Sequence, residues 1–255
     1  MKNMNKIDIY MITHKSVDYI PNGITPLFVG DGTNEDSYIR DNIGDNISNK
    51  NKNYCELTAL YWMWKNSNAD ILGLCHYRRF FGKNEKDILG SHSEKIIKLL
   101  KKNDIIVSTK WITLKTVYDI YKRDHYASDL DEIENIIKEK YADYLDVYKH
   151  VMNGHYTYQC NMFICKKDIL DSYCEWLFSI LFELENRIDI NNRNDYQKRV
   201  YGFISERLLT VWILKNKLNV HEYPLYLTEI NRYYNIKKII KKEIIKFVLL
   251  VGGQK

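Results

Sequence analysis

Two adjacent arginines follow a short apolar run in the first third of the chain. Arg78 and Arg79 come after His76 and Tyr77, which follow the apolar residues 71–75 (ILGLC). A guanidinium group is a planar fork of donors that makes bidentate, charge-assisted hydrogen bonds to phosphate. Two of them together predict a phosphate or diphosphate site. The alternative is one structural ion pair and one solvated arginine.

The metal ligands that often serve such a site are not found beside this cluster. Many enzymes that use a nucleotide-sugar donor stabilise the diphosphate leaving group with a cation held by an Asp-x-Asp motif at a strand end. The chain's Asp-x-Asp, Asp129-Leu130-Asp131, instead precedes a charged helical pattern, which favours helix capping over metal binding. We therefore predict no metal-ligating residue. Mg²⁺ or Mn²⁺ stays open as a cofactor, because a water-rich site needs few protein carboxylates.

Two carboxylates are candidates for a general base. Glu206 lies in the first turns of a predicted helix beside Arg207, where it could deprotonate an acceptor hydroxyl. The same pattern fits a structural carboxylate that interacts with the helix dipole and its neighbour. Asp45 is the second candidate.

The elements that position these residues alternate between strands and helices. Strands are predicted over residues 6–13, 26–30, 71–75, 104–108, 160–165 and 220–225. A helix is predicted to begin at Asn53, with Asn53 and Glu56 as a capping box, and to end at Asn66 to Asn68. Further helices are predicted over 93–102, 128–149 and 202–215, and a long one is capped by Asp168. This alternation predicts a mostly parallel, layered α/β sheet with flanking helices.

Polar residues directly follow several of these strands. Ligands of open α/β sheets bind outside the carboxyl ends of the strands. The rule selects four places, and their members are the candidate donor-binding residues: Thr13, His14 and Lys15; Gly30 with Asp31; His76, Tyr77, Arg78 and Arg79; and Asn161 beside the 160–165 strand.

Composition excludes several classes of protein. The 255 residues are 45% hydrophobic, enough for a substantial core, and the net charge is +5. Basic residues (38) barely outnumber acidic ones (33) and are dispersed, so we expect no nucleic-acid partner. Five cysteines without a CxxC spacing, each in an apolar run, predict reduced buried thiols. With no signal-peptide pattern at the N-terminus, a cytoplasmic protein is expected.

The last residues form a second segment. We divide the chain into a main domain, 1–232, and a basic amphipathic helix, 233–255. Isoleucines fall on one helical face of this segment and lysines mostly on the other, which is typical of a helix lying in a membrane surface. It would hold the protein peripherally on the inner face of the cell membrane. The alternative is a helix that packs its apolar face on the domain.

Several motifs in order resemble one bacterial family. They are residues 41–48 (DNIGDNIS), 53–62 (NYCELTALYW), 73–81 (GLCHYRRFF), 160–164 (CNMFI) and 202–208 (GFISERL). Together they resemble the capsular polysaccharide synthesis proteins, a family first described as a domain of unknown function. The resemblance spans roughly residues 6–230. One departure is Cys160, since the family commonly has a small residue before Asn161.

The resemblance implies a glycosyltransferase with a GT-A-like, Rossmann-like fold. The donor would be a nucleotide-sugar, with UDP-sugars first and UDP-galactofuranose among them, because some relatives are inverting galactofuranosyltransferases. The acceptor would be a capsular or other surface polysaccharide, an exopolysaccharide, or a lipid-linked oligosaccharide. Asp41, Asp45 and Asn46 would then bind the ribose and sugar hydroxyls, which need directional donors and acceptors.

A different class stays open on the residues alone. A non-catalytic carbohydrate-binding protein would use the 21 tyrosines but would have no need of arginines at a strand end. Binding of UDP separates the two, because only the transferase is expected to bind it.

Overall fold

The computed structural model describes residues 6–32, 37–229, 245 and 248. Its strands are β1 Ile7–Thr13, β2 Ile24–Phe28, β3 Ile39–Arg40, β4 Ile71–His76, β5 Arg79–Phe81, β6 Ile105–Ser108, β7 Trp111–Ile112, β8 Tyr156–Thr157, β9 Phe163–Lys166, β10 Val220–Tyr223 and β11 Leu225–Leu227. Its α-helices are α1 Asn51–Tyr54, α2 Leu57–Asn66, α3 Ser93–Leu100, α4 Val117–Asp124, α5 Ala127–Lys140, α6 Leu145–Met152, α7 Lys167–Arg187 and α8 Val200–Lys215.

The central sheet has a parallel half built from the N-terminal strands. β4, β1, β2 and β3 are parallel neighbours in that order. Residues 71–75 of β4 are all buried, as expected of a central strand that is covered on both faces. Parallel strands end at the same edge, so the polar residues after β1 and β4 lie side by side.

One antiparallel strand joins this half to the rest of the sheet. The main path is β10-β6-β9-β4-β1-β2-β3, and β9 runs antiparallel to both β4 and β6. The other four pairings are parallel, which confirms the predicted mostly parallel α/β sheet. Because β9 is reversed, its first residue lies at the edge where β1 and β4 end. We call this the β1–β4–β9 edge.

A hairpin extends the sheet beyond this edge. β5 turns back on β4 with His76 opposite Arg79, and β11 pairs antiparallel with β5. The strand predicted over 220–225 is therefore two strands, β10 and β11, with Pro224 between them. The hairpin exposes the turn residue Arg78 at the β1–β4–β9 edge.

The helices cover the sheet and supply most of the core. The apolar face of α7 packs into the core, where its members are all buried: Tyr173, Trp176, Leu177, Ile180, Leu181 and Leu184. Most of α8 is buried around its whole circumference, as expected of a helix inside the core. The helix predicted over 128–149 is two helices, α5 and α6, separated by a 3₁₀ turn at Ala142–Tyr144. No helix in the described ranges is long and apolar enough to cross a membrane.

Two predicted helix caps are wrong. Asp168 does not cap α7, since its carboxylate accepts only from the next residue, Ile169, and Lys166 occupies the cap position. Asp129 does not cap α5 either. It is 1% exposed and forms a bidentate ion pair with Arg193, with N···O distances of 2.6 and 2.7 Å. A buried carboxylate is stable only when it is paired in this way.

The predicted helix at Asn53 is interrupted. Cys55 has φ 52° and ψ −129°, a conformation that L-residues rarely adopt, and it separates α1 from α2. The capping box is therefore wrong. The Asn53 amide donates to the carbonyl of Lys198 at 3.1 Å instead, and Glu56 turns away from the helix.

The cysteines differ in part from the prediction. All five are free thiols, and Cys75, Cys165 and Cys174 are buried as expected. Cys55 and Cys160 are half-buried instead and lie in the region described next. The C-terminal segment 233–255 lies outside the described residues except for Ile245 and Val248.

Candidate active site

The residues after β1 and β4 meet around one aromatic ring. The backbone N–H of Tyr77 donates to the carbonyl of Ile12, which places its ring beside the end of β1. His14 meets that ring edge-on at 5.5 Å between centroids. Lys15 Nζ lies 5.3 Å from the ring centre and the Arg78 guanidinium 4.8 Å. The ring thus holds three basic side chains close to one another, since cations favour the face of an aromatic ring.

A tight turn enters β9 at the same edge. Cys160 and Asn161 have φ 70° and 49°, so both are left-handed, which is common for asparagine and unusual for cysteine. The Cys160 carbonyl lies 2.7 Å from His76 Nε2. A carbonyl only accepts hydrogen bonds, so Nε2 carries a proton. Burial lowers the pKa of His76 to about 4, and the ring is therefore a neutral donor that fixes the turn.

This turn positions two carboxylates. The Cys160 N–H donates to Glu206 Oε1 at 2.9 Å. The Asn161 side-chain amide donates to Glu56 Oε1 at 2.7 Å. Burial is the main cause that raises the pKa of both carboxyl groups, and the Glu56 charge raises the pKa of Glu206 further. A raised pKa brings a carboxylate closer to the range in which it accepts a proton efficiently.

Guanidinium groups surround this pair of carboxylates. Arg207 Nη1 lies 3.1 Å from Glu206 Oε2. The charges of Arg199 and Arg79 both lower the pKa of Glu56, partly opposing the effect of burial. Arg199 and Arg78 also lower the pKa of His14, after the larger effect of burial and that of Lys15. Since His76, Glu206 and Glu56 all contact the turn formed by Cys160 and Asn161, the basic strand end and the two carboxylates belong to one site.

Arg78 and Arg79 are both exposed at this site. Arg78 Nε forms a 2.9 Å ion pair with Glu229, which follows β11. A surface pair of this kind contributes little stability, so Arg78 can exchange its partner for a ligand at small cost. The arrangement is able to bind a polyanion at the two arginines and to accept a proton at Glu56 or Glu206, which lie at the same edge of the sheet.

Eight predicted residues meet at this site. They are His14, Lys15, His76, Tyr77, Arg78, Arg79, Asn161 and Glu206. Thr13 lies beside them, but its hydroxyl is engaged with the backbone of Lys15, which it contacts at 2.6 and 3.2 Å.

The structure places Asp45 and Asn46 away from this site. Asp45 and Asn46 lie near the C-terminal end of α2, whereas Glu56 precedes its N-terminal end. Asp45 accepts from Tyr61, its carbonyl accepts from Asn66, and Asn46 bonds only within its own turn. Ten residues of helix separate the two ends by about 15 Å. Asp45 is therefore not beside Glu206.

Gly30 and Asp41 lie at the end of β2, next to the end of β1, since the Val29 N–H donates to the Thr13 carbonyl at 2.9 Å and the Asp41 N–H to the Phe28 carbonyl at 3.1 Å. Gly30 has φ 83°, and a Cβ there would come 2.9 Å from the Asn51 side chain. Asp41 is 1% exposed and bonds to the Thr58 hydroxyl, and burial raises its pKa. The Asp41 carboxylate thus offers almost no surface to a ligand in this conformation.

Glu56, Arg199 and Cys55 were not predicted as site residues. Arg199 Nε lies 3.1 Å from Cys55 Sγ, and burial raises the thiol pKa to about 11. Glu56 was assigned to a capping box because its spacing from Asn53 fits one. The break between α1 and α2 turns Glu56 towards Asn161. The sequence does not predict this break, because the residue with positive φ is Cys55 and not a glycine. Within the described residues, no group of three or more His, Cys, Asp or Glu side chains could hold a metal ion.

Comparison with known proteins agrees with the fold and with the motifs. A family model described as "Domain of unknown function (DUF4422)" matches residues 8–217, and the chain belongs to this family. This confirms the resemblance drawn from the sequence motifs. A search of curated proteins found no match.

A solved structure, the bifunctional glycosyltransferase WbbM in its apo form, is similar over 89% of the chain, with 36% sequence identity and a TM-score of 0.81. The match confirms the predicted glycosyltransferase-like α/β fold. The matched region covers 46% of the WbbM chain, so this chain spans about half the length of that protein.

Proposed function

We propose that the protein is a glycosyltransferase that moves a sugar from a UDP-sugar to a surface polysaccharide or a lipid-linked acceptor. The observation that carries this proposal is the placement of Glu206 and Glu56 among exposed guanidinium groups at the β1–β4–β9 edge. Similarity to a bifunctional glycosyltransferase over most of the chain supports it. A purely sugar-binding protein would need neither the arginines nor the half-buried carboxylates.

Arg78 and Arg79 bind the donor diphosphate in this proposal. The two side chains are exposed, and Arg199 adds a third guanidinium on the Glu56 side. Preorganised positive groups stabilise the negative charge that develops on the leaving diphosphate. His14, Lys15 and Tyr77 complete the donor side of the site, because His14, Lys15 and Arg78 all pack around the Tyr77 ring.

Glu206 acts as the general base. Its carboxylate removes the proton from an acceptor hydroxyl, and the freed oxygen forms a bond to the anomeric carbon of the donor sugar. The bond between that carbon and the diphosphate oxygen breaks, and its electron pair leaves with UDP. The hydrogen bond from the Cys160 N–H holds Oε1 in place, which leaves lone pairs on the carboxylate for the incoming proton.

We expect turnover of a UDP-sugar to survive EDTA. The guanidinium groups of Arg78, Arg79 and Arg199 provide the positive charge that a divalent cation supplies in other enzymes. The experiment incubates the protein with UDP-sugars and measures released UDP, with EDTA or with added Mn²⁺ or Mg²⁺. GDP- and dTDP-sugars are the controls for donor class.

The assays with and without metal distinguish a wrong reaction type from a wrong role for the arginines. No release of UDP from any UDP-sugar, with or without metal, would contradict the proposed transferase. Release that disappears in EDTA and returns with Mn²⁺ would instead contradict the role given to the arginines. Preference for a GDP- or dTDP-sugar would correct the donor and leave the reaction type standing.

We further propose that the segment 233–255 tethers the enzyme to the cytoplasmic face of the membrane. A polysaccharide built on a lipid carrier keeps its growing end there, and the segment carries several lysines among isoleucines. Each lysine near an anionic leaflet contributes about 1 kcal/mol. We expect the full chain to pellet with vesicles of anionic lipid, and a chain truncated after Tyr234 to stay in solution.

Vesicles of neutral lipid are the control for charge. If both chains pellet equally with anionic vesicles, or neither does, the segment does not tether the enzyme.

A further inference from the structure

One face of α8 joins the carboxylates of the site to an aromatic surface. Arg199, Phe203 and Glu206 follow one another at positions i, i+4 and i+7, a spacing that places them along one side of a helix. The same side chain of Arg199 that lies against Cys55 is 5.6 Å from the centre of the Phe203 ring. Phe203 and Glu206 are three residues apart, which is about 4.5 Å along the axis.

Two further rings pack on Phe203. His125 stacks on it with 4.1 Å between ring centres and 25° between planes. Tyr196 lies 5.1 Å from Phe203 and 5.8 Å from His125. We call His125, Tyr196 and Phe203 the aromatic platform. Tyr196 is 54% exposed, whereas His125 and Phe203 are half-buried, so the platform presents the Tyr196 ring to solvent.

The platform is held in place by polar contacts beneath it. The Gln197 side chain lies 3.1 Å from His125 Nδ1 and donates to the carbonyl of Asp124 at 2.8 Å. The buried ion pair between Arg193 and Asp129 anchors the start of the same loop. Because these contacts fix the loop to α4 and α5, the rings are positioned before any ligand arrives, and binding loses little conformational entropy.

The exposed Tyr196 ring, backed by His125 and Phe203, is an apolar surface that a ligand can cover. The C–H groups on one face of a pyranose or furanose are apolar and weakly positive, so they match the negative face of an aromatic ring. The donor side of the site lies around Tyr77 and Arg78, and the platform adjoins Glu206 on α8. A sugar stacked on the platform would therefore present its hydroxyls to the base.

We propose that the aromatic platform binds the acceptor, with the terminal sugar of the acceptor glycan stacked on the exposed Tyr196 ring, at the edge of Phe203. This rests on the proposed function, because it assigns the second substrate of the same reaction. Hydroxyl groups at the sugar's rim reach Glu206, whereas the diphosphate of the donor stays with the arginines of the β4–β5 turn.

The test separates acceptor binding from donor chemistry. Octyl glycosides of galactose, glucose, N-acetylglucosamine and rhamnose serve as acceptor probes, and those used by the unaltered enzyme are carried forward. We expect Tyr196→Ala to raise the KM for the octyl glycoside roughly tenfold, because it removes one stacking face. The rate of UDP-sugar hydrolysis without acceptor and the affinity for UDP stay unchanged. Tyr196→Phe keeps the ring and stays close to the unaltered enzyme.

Tyr118→Ala is the matched control. Tyr118 is also partly exposed, but its hydroxyl donates to Asp131 in a groove between α4, α5 and α6, away from Phe203. An unchanged KM for the glycoside in Tyr196→Ala, or an equal change in Tyr118→Ala, would overturn the proposal. So would a loss of UDP affinity in Tyr196→Ala, because the platform would then bind the donor base.

Failure of the proposed function gives a different result. An enzyme that neither hydrolyses a UDP-sugar nor transfers to any of the glycosides is not a glycosyltransferase of this kind, and the acceptor assignment falls with it. Hydrolysis and transfer with an unaffected Tyr196→Ala variant leave the function intact and reject the platform alone.

Discussion

Replacing Glu206 with glutamine is expected to lower kcat by roughly a thousandfold, within the range that a lost general base usually costs. UDP affinity should stay the same, because the role is confined to the transition state. Glutamine keeps the shape of the side chain, and its Oε1 can still accept from the Cys160 N–H. The turn before β9 therefore keeps its support, and the measured loss reports the missing proton acceptor.

The pH profile provides a second readout for Glu206. A base acts only when it is deprotonated, so kcat rises with pH through the pKa of the group. Burial and the neighbouring Glu56 raise that pKa above the usual value for glutamate. We expect the acid limb of the profile to lie at a higher pH than an ordinary glutamate would give. The small residual rate of Glu206→Gln should lack this limb.

Glu56→Gln is the matched control for the base. Its carboxylate accepts from the Asn161 amide, an interaction that glutamine Oε1 can also make. We expect a much smaller loss of kcat than in Glu206→Gln. A full loss in Glu56→Gln with a mild effect in Glu206→Gln would exchange the two roles. A Glu206→Gln protein that is folded, binds UDP and turns over normally would remove the base assignment altogether.

Arg78→Ala should weaken UDP binding by about 1.5–3 kcal/mol, the contribution of a hydrogen bond to a charged group, or roughly 10- to 150-fold. The side chain lies on the Tyr77 ring and is exposed, and its ion pair with Glu229 is replaceable. Arg79→Ala should weaken UDP binding in the same direction. Isothermal titration with UDP measures both effects directly.

Lys83→Ala serves as the control for net charge. Lys83 is exposed and follows β5, so the substitution removes the same formal charge two residues beyond the end of that strand. Its UDP affinity should match that of the unaltered protein. Unchanged affinity in both arginine variants would reject the diphosphate role, and equal losses in all three would point to a general field effect.

The strand framework and part of the site were predictable for a simple physical reason. Buried strands such as β4 are continuous apolar runs, and the residues that follow them must lie at a sheet edge, which is how Arg78 and His14 were placed correctly. Asn161 precedes the antiparallel strand β9 and still reaches the same edge, because reversing a strand exchanges its two ends.

The residues that were misplaced depend on non-local contacts. Glu56 faces the site because the chain turns at Cys55, and that turn is stabilised by Arg199, which is 144 residues away in sequence. Asp45 was grouped with the site through the family resemblance, but Asn66 and Tyr61 hold it near the far end of α2. Asp129 resembled a capping residue, and only its buried partner Arg193 reveals an ion pair. The spacing of residues within one segment of the sequence does not predict contacts with such distant partners.

The reversed strand β9 also determines when the site comes into existence. The β1–β4–β9 edge collects side chains from His14 to Glu206, and its contacts close long loops: 105 residues separate Glu56 from Asn161, and 144 separate Cys55 from Arg199. Such contacts form late, because loop-closure entropy opposes them until the rest of the domain is assembled. During synthesis, a chain that has reached only β5 already carries Arg78 and Arg79 but has neither the turn at Cys160 nor the carboxylate on α8. The hydrogen bonds that orient Glu206 and Glu56 can therefore form only after most of the domain has been made.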